Sequence, residues 1–232
     1  MRSAARLIVC AFLAAVIFFA GVALRPTLGR FRRHLAREDG NPERVYDPVY
    51  YGQRTLQFEV LRVNRRIVFL GDSRIDYAEW SELFDRCDIA NRGVSGDTTA
   101  GVLKRLSSSI PSEAMLCLIQ VGVNDLQNGS SSGAVRANYD RILQFLREQR
   151  QCRVLVTPIL LVSQDRAELN ARINECNREL AALAAKRNAQ WLDLNSAVAP
   201  AGFLPPQYSN DGVHLNGAGY LKMRDAIAPL LE

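Results

Sequence analysis

The stretch FLGDSRIDY, residues 69–77, stops a run of apolar residues abruptly on a glycine, an aspartate and a serine. The apolar residues from Ile67 to Leu70 predict a buried strand of the kind found in parallel sheets covered on both faces. Parallel sheets bind ligands at the carboxyl ends of their strands. A strand that ends on Ser73 therefore places a hydroxyl where a functional site is expected.

The rest of the chain alternates short apolar runs with helical patterns and contains no internal repeat. The apolar runs predict strands at 66–70, 87–90, 115–121, 153–157 and 190–194. Apolar residues at helical spacing predict helices within 135–146, 169–183 and 218–230. Strands that alternate with helices are typical of an α/β fold with a parallel sheet.

A further amphipathic helix is predicted at 50–61, before the first strand of the sheet. Leu56, Val60 and Leu61 recur at helical spacing and are expected to form its apolar face. We expect this helix to pack on the edge of the sheet.

The N-terminal part of the chain differs in composition from the rest. Leu7–Leu24 is an unbroken run of 18 apolar or small residues, preceded by Arg2 and Arg6. At about 1.5 Å per residue it would span roughly 27 Å, close to the thickness of the hydrocarbon layer of a membrane. We predict an uncleaved transmembrane helix within residues 1–24, with a cleaved signal peptide ending near Gly21-Val22-Ala23 as the alternative.

A basic linker at 25–48 is predicted to follow the apolar run. By the positive-inside rule, its arginines favour a cytoplasmic location for the domain that follows the linker. If the apolar run acts as an export signal, that domain would lie outside the cytoplasm, and both locations stay open. The formal net charge of +5 lies entirely within residues 1–40, so the remaining body is neutral. This distribution favours anionic lipid head groups as partners through residues 7–24 and the linker, and it does not favour nucleic acid.

Five cysteines are scattered at positions 10, 87, 117, 152 and 176, without a Cys-x-x-Cys pair or a Cys/His cluster. The spacing indicates no metal site, and no cofactor is predicted. Cys117 lies within an apolar run and is expected to be a small core residue.

Polar residues also follow the other predicted strands. The relevant stretches are NRGVSGDTT at 91–99, GVND at 122–125 and, before the last helix, NDGVHLN at 210–216. The last of these contains His214, the one histidine outside the N-terminal region.

These residues supply the groups that serine-based acyl transfer needs. A serine hydroxyl becomes a good nucleophile when a base accepts its proton and a third group orients that base. Ser73, His214 and Asp211 provide this set, because Asp211 lies three residues before His214 in a turn-forming stretch. The attack on an ester also creates an oxyanion, for which the candidate donors are the N–H groups of Ser73 and Gly93 and the side-chain amide of Asn124.

At these residues the sequence resembles the SGNH hydrolases, the GDSL-type esterases and lipases. The resemblance covers about residues 64–225 and rests on GDS at 71–73, the glycine within NRGVSGDTT, GVND, and DGVHL at 211–215. It implies a three-layer α/β/α sandwich with a five-stranded, flavodoxin-like parallel sheet over a domain at 49–232. It further implies the nucleophile, base, acid and oxyanion roles given above.

One residue departs from the family pattern, since Arg74 stands where an aliphatic residue often follows the serine. We expect Arg74 to lie on the surface in contact with solvent. Contact with an acidic or polar substrate is the alternative.

Local explanations exist for several of these motifs. Gly71-Asp72-Ser73 also suits a turn and a helix N-cap, and we expect Asp72 to bond locally in this way rather than act as the catalytic acid. The stretch GSSSG at 129–133 formally fits the nucleophile elbow of α/β-hydrolases. No predicted strand leads directly into it, so Ser131 is not expected to be a nucleophile.

The sequence therefore predicts a membrane-tethered serine esterase that hydrolyses an acyl ester. The substrate is expected to be a small-molecule, lipid or carbohydrate ester, with a small acyl group such as acetyl or with a lysophospholipid-like structure. An O-acyltransferase that uses the same residues is the main alternative. A non-catalytic binding module is disfavoured, because the full set of catalytic groups is present.

Overall fold

A single parallel sheet organises the computed structural model, which describes residues 47–61 and 65–231. The strands are β1 Ile67–Gly71, β2 Ile89–Gly93, β3 Leu116–Gln120, β4 Arg153–Val156 and β5 Gln190–Trp191. They pair in the order β2-β1-β3-β4-β5, and every neighbouring pair is parallel. This is the flavodoxin-type strand order, so the predicted α/β fold with a five-stranded parallel sheet is confirmed.

Helices connect the strands and flank the sheet. The α-helices are α1 Pro48–Val60, α2 Ser73–Asp76, α3 Trp80–Phe84, α4 Thr99–Lys104, α5 Leu106–Ser109, α6 Val123–Gln127, α7 Ser132–Phe145, α8 Ala167–Lys186, α9 Asn195–Val198 and α10 Gly217–Ile227. A π-helical turn, Leu146–Arg150, extends α7, and short 3₁₀ turns lie at Gln164–Arg166, Pro206–Tyr208 and Ala228–Leu230. Helix α7 packs against α4 and α8, whereas α10 packs against α3 and α9. Right-handed crossovers place two such groups on opposite faces of a parallel sheet.

The strand β1 lies near the centre of the sheet, and all five of its residues are buried. It ends at Gly71, where a Cβ atom would lie only 2.1 Å from the carbonyl oxygen of Gln120 in β3. Only glycine lets the two strands approach so closely at this point. The close approach sets the position of the next residues, Asp72 and Ser73.

The second strand lies further along the chain than the sequence predicts. It runs from Ile89 to Gly93 rather than over 87–90, and it is an edge strand. The polar residues Asn91 and Arg92 fit in it because their side chains bind main-chain carbonyls: Asn91 those of Asp76 and Ala78, and Arg92 that of Ser109 among others. Residues that resemble a loop in sequence thus belong to the sheet.

Helix α1 packs at the β2 edge of the sheet, as predicted, but through a different face. Leu56, Val60 and Leu61 are exposed, so the predicted apolar face was wrong. The buried contact is made by Phe58, whose ring lies 4.8 Å from the guanidinium carbon of Arg92. Aromatic and polar residues therefore replace aliphatic ones where this helix meets the domain.

None of the helices within 47–61 and 65–231 combines the length and the apolar character needed to span a bilayer. The predicted anchor at 7–24 and residues 25–46 of the predicted linker lie outside the described residues. The linker prediction ends one residue into α1, which begins at Pro48 with Asp47 as its N-cap.

Candidate active site

The turn between β1 and α2 presents Ser73 at the carboxyl edge of the sheet. Asp72 is the N-cap of α2, and its Oδ1 accepts a hydrogen bond from the N–H of Arg74 at 3.0 Å, so the predicted local role of Asp72 is confirmed. Ser73 is the first residue of α2, a position whose N–H has no partner within the helix. The hydroxyl of Ser73 and its N–H, which has no partner within α2, thus lie at the same edge of the sheet.

The structure brings the three residues of the predicted triad together. Ser73 Oγ lies 2.9 Å from His214 Nε2, although the two residues are 141 positions apart in sequence. His214 Nδ1 lies 2.6 Å from Asp211 Oδ2. This geometry lets the imidazole face the hydroxyl with one nitrogen while the carboxylate holds the other.

The loop 210–216 is folded around Asp211. Its Oδ1 accepts hydrogen bonds from the N–H groups of Val213 at 2.9 Å and His214 at 2.8 Å. Partial burial opposes ionisation of Asp211, but the bonds from the His214 ring and from these two N–H groups hold its pKa well below the usual range. Asp211 therefore stays ionised and favours the tautomer of His214 that carries its proton on Nδ1.

The predicted oxyanion residue Asn124 lies in α6, next to the loop that follows β2. Its Nδ2 donates a hydrogen bond to the carbonyl oxygen of Asp97 at 2.8 Å. An amide nitrogen carries two hydrogens, so one remains for a further acceptor. The neighbouring Asp125 binds the N–H of Thr99 at 2.9 Å and its hydroxyl at 2.6 Å, which ties α6 to the start of α4.

Gly93 does not match its predicted part in the site. Its N–H donates to the side-chain oxygen of Asn91 at 2.9 Å, because Gly93 is the last residue of β2 and not part of the loop. A Cβ at Gly93 would lie 2.1 Å from the backbone nitrogen of Asp76, so this glycine serves the close packing of α2 on β2. The N–H predicted to bind an oxyanion is already occupied.

Gly96, the second glycine of NRGVSGDTT, lies in the turn itself with a φ of 77°. It immediately precedes Asp97, whose carbonyl binds the Asn124 amide. Its N–H therefore belongs to the turn that Asn124 holds in place. The sequence contained this signal, because a glycine between Ser95 and Asp97 fits a turn with positive φ better than a strand end does.

A network that the sequence did not predict joins α1 to this turn. Asp76 accepts hydrogen bonds from the hydroxyl of Tyr50 at 2.5 Å and from the N–H of Ser95 at 2.9 Å. Arg54 pairs with the same carboxylate at 3.3 Å. Burial and the hydrogen bond to Asp76 raise the pKa of Tyr50 to about 12, so its hydroxyl stays protonated and keeps donating.

Tyr77 forms one side of the site beside the histidine. Its ring centroid lies 5.0 Å from that of His214, and its hydroxyl is 2.8 Å from Ser95 Oγ. The residue is 53% exposed, so a bound ester can contact the ring. The aromatic surface is next to His214, whose Nε2 contacts the Ser73 hydroxyl.

The expectation that Arg74 lies on the surface is wrong, because its exposure is 0%. The guanidinium donates hydrogen bonds to the carbonyl oxygens of Leu160 at 2.6 Å, Val213 at 2.8 Å and Leu161 at 3.4 Å. Burial lowers the pKa of Arg74, and the negative charge of Asp72 opposes that shift. The buried position also rules out the alternative of direct contact with substrate.

Cys117 is a core residue, as predicted, and Ser131 caps a helix. Ser131 is the N-cap of α7, and its hydroxyl accepts the N–H of Ala134 at 3.2 Å. Cys117 is fully buried in β3, and burial raises the pKa of its thiol. Within 47–61 and 65–231, no group of three His, Cys, Asp or Glu side chains is arranged to hold a metal ion.

Comparison with known proteins agrees with this geometry. Residues 67–222 match the GDSL-like Lipase/Acylhydrolase family. The platelet-activating factor acetylhydrolase IB subunit alpha1 of Bos taurus is 32% identical over 174 residues, which cover 71% of this chain and 74% of the relative.

Solved structures of low sequence identity share the fold. A GDSL-like lipase from Bacteroides thetaiotaomicron superposes with a TM-score of 0.65 and 22% identity over 78% of this chain and 96% of the other. A catalytic mutant of an acetylxylan esterase from Geobacillus stearothermophilus gives a TM-score of 0.62 and 14% identity over 71% and 93% of the two chains.

The family match over residues 67–222, together with the relative at 32% identity, defines the class of protein as a carboxylic ester hydrolase. The chain belongs to the GDSL-like lipase/acylhydrolase family, and it is a carboxylic ester hydrolase of the SGNH type.

Proposed function

We propose that the protein hydrolyses an ester with a small acyl group through a Ser73-His214-Asp211 triad. The observation that carries this proposal is the unbroken chain of contacts from Ser73 Oγ to His214 Nε2 at 2.9 Å and from His214 Nδ1 to Asp211 Oδ2 at 2.6 Å. A hydroxyl placed in this way can lose its proton to the imidazole as it attacks.

In the proposed reaction, Ser73 Oγ bonds to the ester carbonyl carbon and its proton passes to His214 Nε2. The tetrahedral oxyanion collapses, the alcohol leaves with that proton, and an acyl-serine remains. Water then attacks the acyl-serine and gives a proton to His214 Nε2. When the second tetrahedral intermediate collapses, the bond between Ser73 Oγ and the acyl carbon breaks, the carboxylic acid leaves, and Ser73 Oγ takes the proton back from His214. We assign the oxyanion donors as the N–H of Ser73, the N–H of Gly96 and the amide of Asn124, with Gly96 in place of Gly93 because the N–H of Gly93 is occupied.

Two features support a short acyl group. The bovine relative at 32% identity is named as a subunit of platelet-activating factor acetylhydrolase IB, a name that specifies an acetyl group. The loop after β2 is also held in place, because Asp76 accepts the N–H of Ser95 and the hydroxyl of Tyr77 bonds to the side chain of the same residue. A loop fixed in this way is not expected to move aside for a long acyl chain, whereas the exposed ring of Tyr77 can contact the alcohol.

The test is a series of p-nitrophenyl esters from acetyl to palmitoyl, with Ser73→Ala as the inactive variant. We expect the highest kcat/KM on the shortest esters, loss of activity in Ser73→Ala with the fold retained, and labelling of Ser73 by a fluorophosphonate. Ser131→Ala is the matched control and should keep full activity. Labelling of Ser131 in the wild type would contradict the assignment.

The same assay distinguishes hydrolysis from transfer of the acyl group. Release of p-nitrophenol should not depend on added sugar or glycerol, because water is the acceptor. If turnover required such an alcohol and the acylated alcohol accumulated, the protein would be an O-acyltransferase with the same catalytic residues.

We further propose that residues 7–24 anchor the protein in a membrane, beside the arginines of 25–48. The support is the length of the apolar run and the basic residues that flank it. The full chain should sediment with membranes and stay there on carbonate extraction. Recovery of a soluble chain that begins near Leu24 would show a cleaved signal instead, and protease protection in sealed vesicles would assign the side of the domain.

A further inference from the structure

A buried arginine next to the nucleophile carries no obvious benefit to stability. Removing a guanidinium from water costs several kcal/mol, and that cost is offset only by well-formed hydrogen bonds or opposite charge. Arg74 is fully buried, and its guanidinium donates hydrogen bonds to three main-chain carbonyls, while the negative charge of the buried Asp72 offsets part of the cost of burial. An aliphatic residue would fill such a space without the cost of burying a charge. Stability alone therefore does not account for an arginine at this position, and the location of its contacts suggests another role.

The three carbonyls belong to two segments that are far apart in sequence. Leu160 and Leu161 lie in the connection after β4, whereas Val213 is the residue directly before His214. The backbone of Arg74 directly follows the nucleophile Ser73. One side chain thus joins the serine turn, the β4 connection and the peptide that bears the base.

The backbone of Arg74 is itself held from both sides. Its N–H donates to Asp72 Oδ1 at 3.0 Å, and its carbonyl oxygen accepts the hydroxyl of Tyr220 in α10 at 3.0 Å. Because the backbone of Arg74 is fixed, its side chain can hold Val213 at a defined distance from the serine turn. The distance between the serine turn and Val213 is then set by Arg74 rather than by loop packing alone.

We propose that Arg74 is a positioning residue that holds the Val213–His214 peptide so that His214 Nε2 stays within hydrogen-bond distance of Ser73 Oγ. This inference rests on the proposed function. An arginine is needed because its planar fork directs several donors to separate acceptors, whereas a lysine ammonium concentrates its donors at one point. The residue touches neither substrate nor reacting atoms, so it acts only through His214.

The experiment compares Arg74→Met and Arg74→Lys with Arg92→Met. Arg92 is the matched control, since it is also buried and its guanidinium also donates to main-chain carbonyls, but on the side of β2 that faces α1 and α5. Active sites are counted by fluorophosphonate titration, and kcat is expressed per titrated site on a p-nitrophenyl ester. The rate of Ser73 labelling is measured separately, because it also needs a base in contact with Ser73.

We expect kcat per site to fall by roughly 10- to 100-fold in Arg74→Met, as a misplaced catalytic group costs about that much, with KM within about threefold of wild type. The labelling rate should fall with kcat, Arg74→Lys should lie between Arg74→Met and wild type, and Arg92→Met should keep kcat per site. If Arg74→Met does not fold, the reduced kcat and labelling rate of Arg74→Lys carry the test.

Two results would overturn the inference. One is a variant at position 74 that folds and keeps wild-type kcat per site. The other is an equal loss in Arg92→Met, which would show a general effect of removing a buried arginine. Failure of the proposed function itself is distinguishable, because the wild-type Ser73 would then not be labelled at all.

Discussion

Asn124 is the residue whose contribution to the proposed reaction can be separated most cleanly from substrate binding. Its amide is held by the carbonyl of Asp97, so the remaining hydrogen has a fixed direction before the substrate arrives. Loss of one preorganised oxyanion donor acts mainly on the transition state. We expect Asn124→Ala to lower kcat by roughly 10²- to 10³-fold with KM nearly unchanged, as measured by Michaelis kinetics on a short p-nitrophenyl ester.

Asn138→Ala is a suitable control for that measurement. The amide of Asn138 also holds a neighbouring element, by donating to Thr99 Oγ1 at the start of α4 at 2.8 Å, but it belongs to α7 and not to the site. The kcat of Asn138→Ala should stay close to that of wild type. A large rise of KM in Asn124→Ala with kcat intact would instead make Asn124 a binding residue.

In the proposed reaction, Asp211 orients the imidazole of His214 and keeps its own negative charge. The pKa of Asp211 is held below the usual range, so it is expected to stay a carboxylate over the pH range of an esterase assay. In Asp211→Asn, kcat should fall by about 10²-fold or more, yet by less than in His214→Ala, because the His214 tautomer with its proton on Nδ1 and the imidazolium formed during the reaction both lose a negatively charged partner. Equal kcat values in wild type and Asp211→Asn would contradict this role.

At the scale of elements, the contact between α6 and the start of α4 makes stability depend on pH. Burial raises the pKa of Asp125 to about 6, although the hydrogen bonds from Thr99 oppose that shift. A group with a raised pKa in the folded state stabilises the fold most at low pH, and this contribution is lost as pH rises through the folded-state pKa. Asn at position 125 cannot titrate, so it lacks this dependence.

The expected result for Asp125→Asn is a smaller loss of stability relative to wild type at pH 8 than at pH 5. The difference should be on the order of 1 kcal/mol, from a pKa of about 6 in the folded state and about 3.9 in the unfolded one. Urea unfolding of both proteins at the two pH values measures it. If the difference in free energy of unfolding between the two proteins stayed constant with pH, Asp125 would not titrate in this range.

The elements also show which parts of the fold a sequence can reveal. Strand β1 and the serine turn were predictable because a continuous run of apolar residues ends sharply at Gly71. The end of β2 was not, since Asn91 and Arg92 look like loop residues until their carbonyl partners on distant segments are known. The end of β2 also decides which glycine, Gly93 or Gly96, can be proposed as an oxyanion donor. The face of α1 was missed for a similar reason, as Phe58 packs on arginines rather than on an aliphatic surface.

The active site follows the same division. Ser73, Asn124, Asp211 and His214 could be proposed from the sequence, because reaction chemistry restricts the residue types that can serve. Arg74 could not, because its carbonyl partners Leu160, Leu161 and Val213 are brought to it by the tertiary fold alone.

At the scale of the whole molecule, Arg105 links strands β1 and β2 to the loop that follows β2. Its guanidinium pairs with Asp97 at 2.8 Å and donates to the carbonyls of Gly71 in β1 and Arg92 in β2 and to the hydroxyl of Ser109. Both members of the ion pair are buried, and burial raises the pKa of Asp97. Removing one partner leaves the other charge buried without compensation.

Arg105→Met should therefore lower the free energy of unfolding by roughly 3–5 kcal/mol in chemical denaturation. The double variant Arg105→Met/Asp97→Asn should be more stable than the single variant, because the orphaned carboxylate is removed as well. A loss below about 1 kcal/mol in Arg105→Met would place the pair with weak surface ion pairs.

The separation of 141 residues between Ser73 and His214 also has a consequence for biosynthesis. A growing chain leaves the ribosome with its serine long before its histidine, and α10, whose Tyr220 holds the backbone of Arg74, is the last α-helix of the described chain. The nascent chain therefore carries Ser73 without its proposed base until the loop 210–216 has been synthesised. If the proposed triad is correct, products of translation that stop before His214 retain the serine but cannot hydrolyse esters.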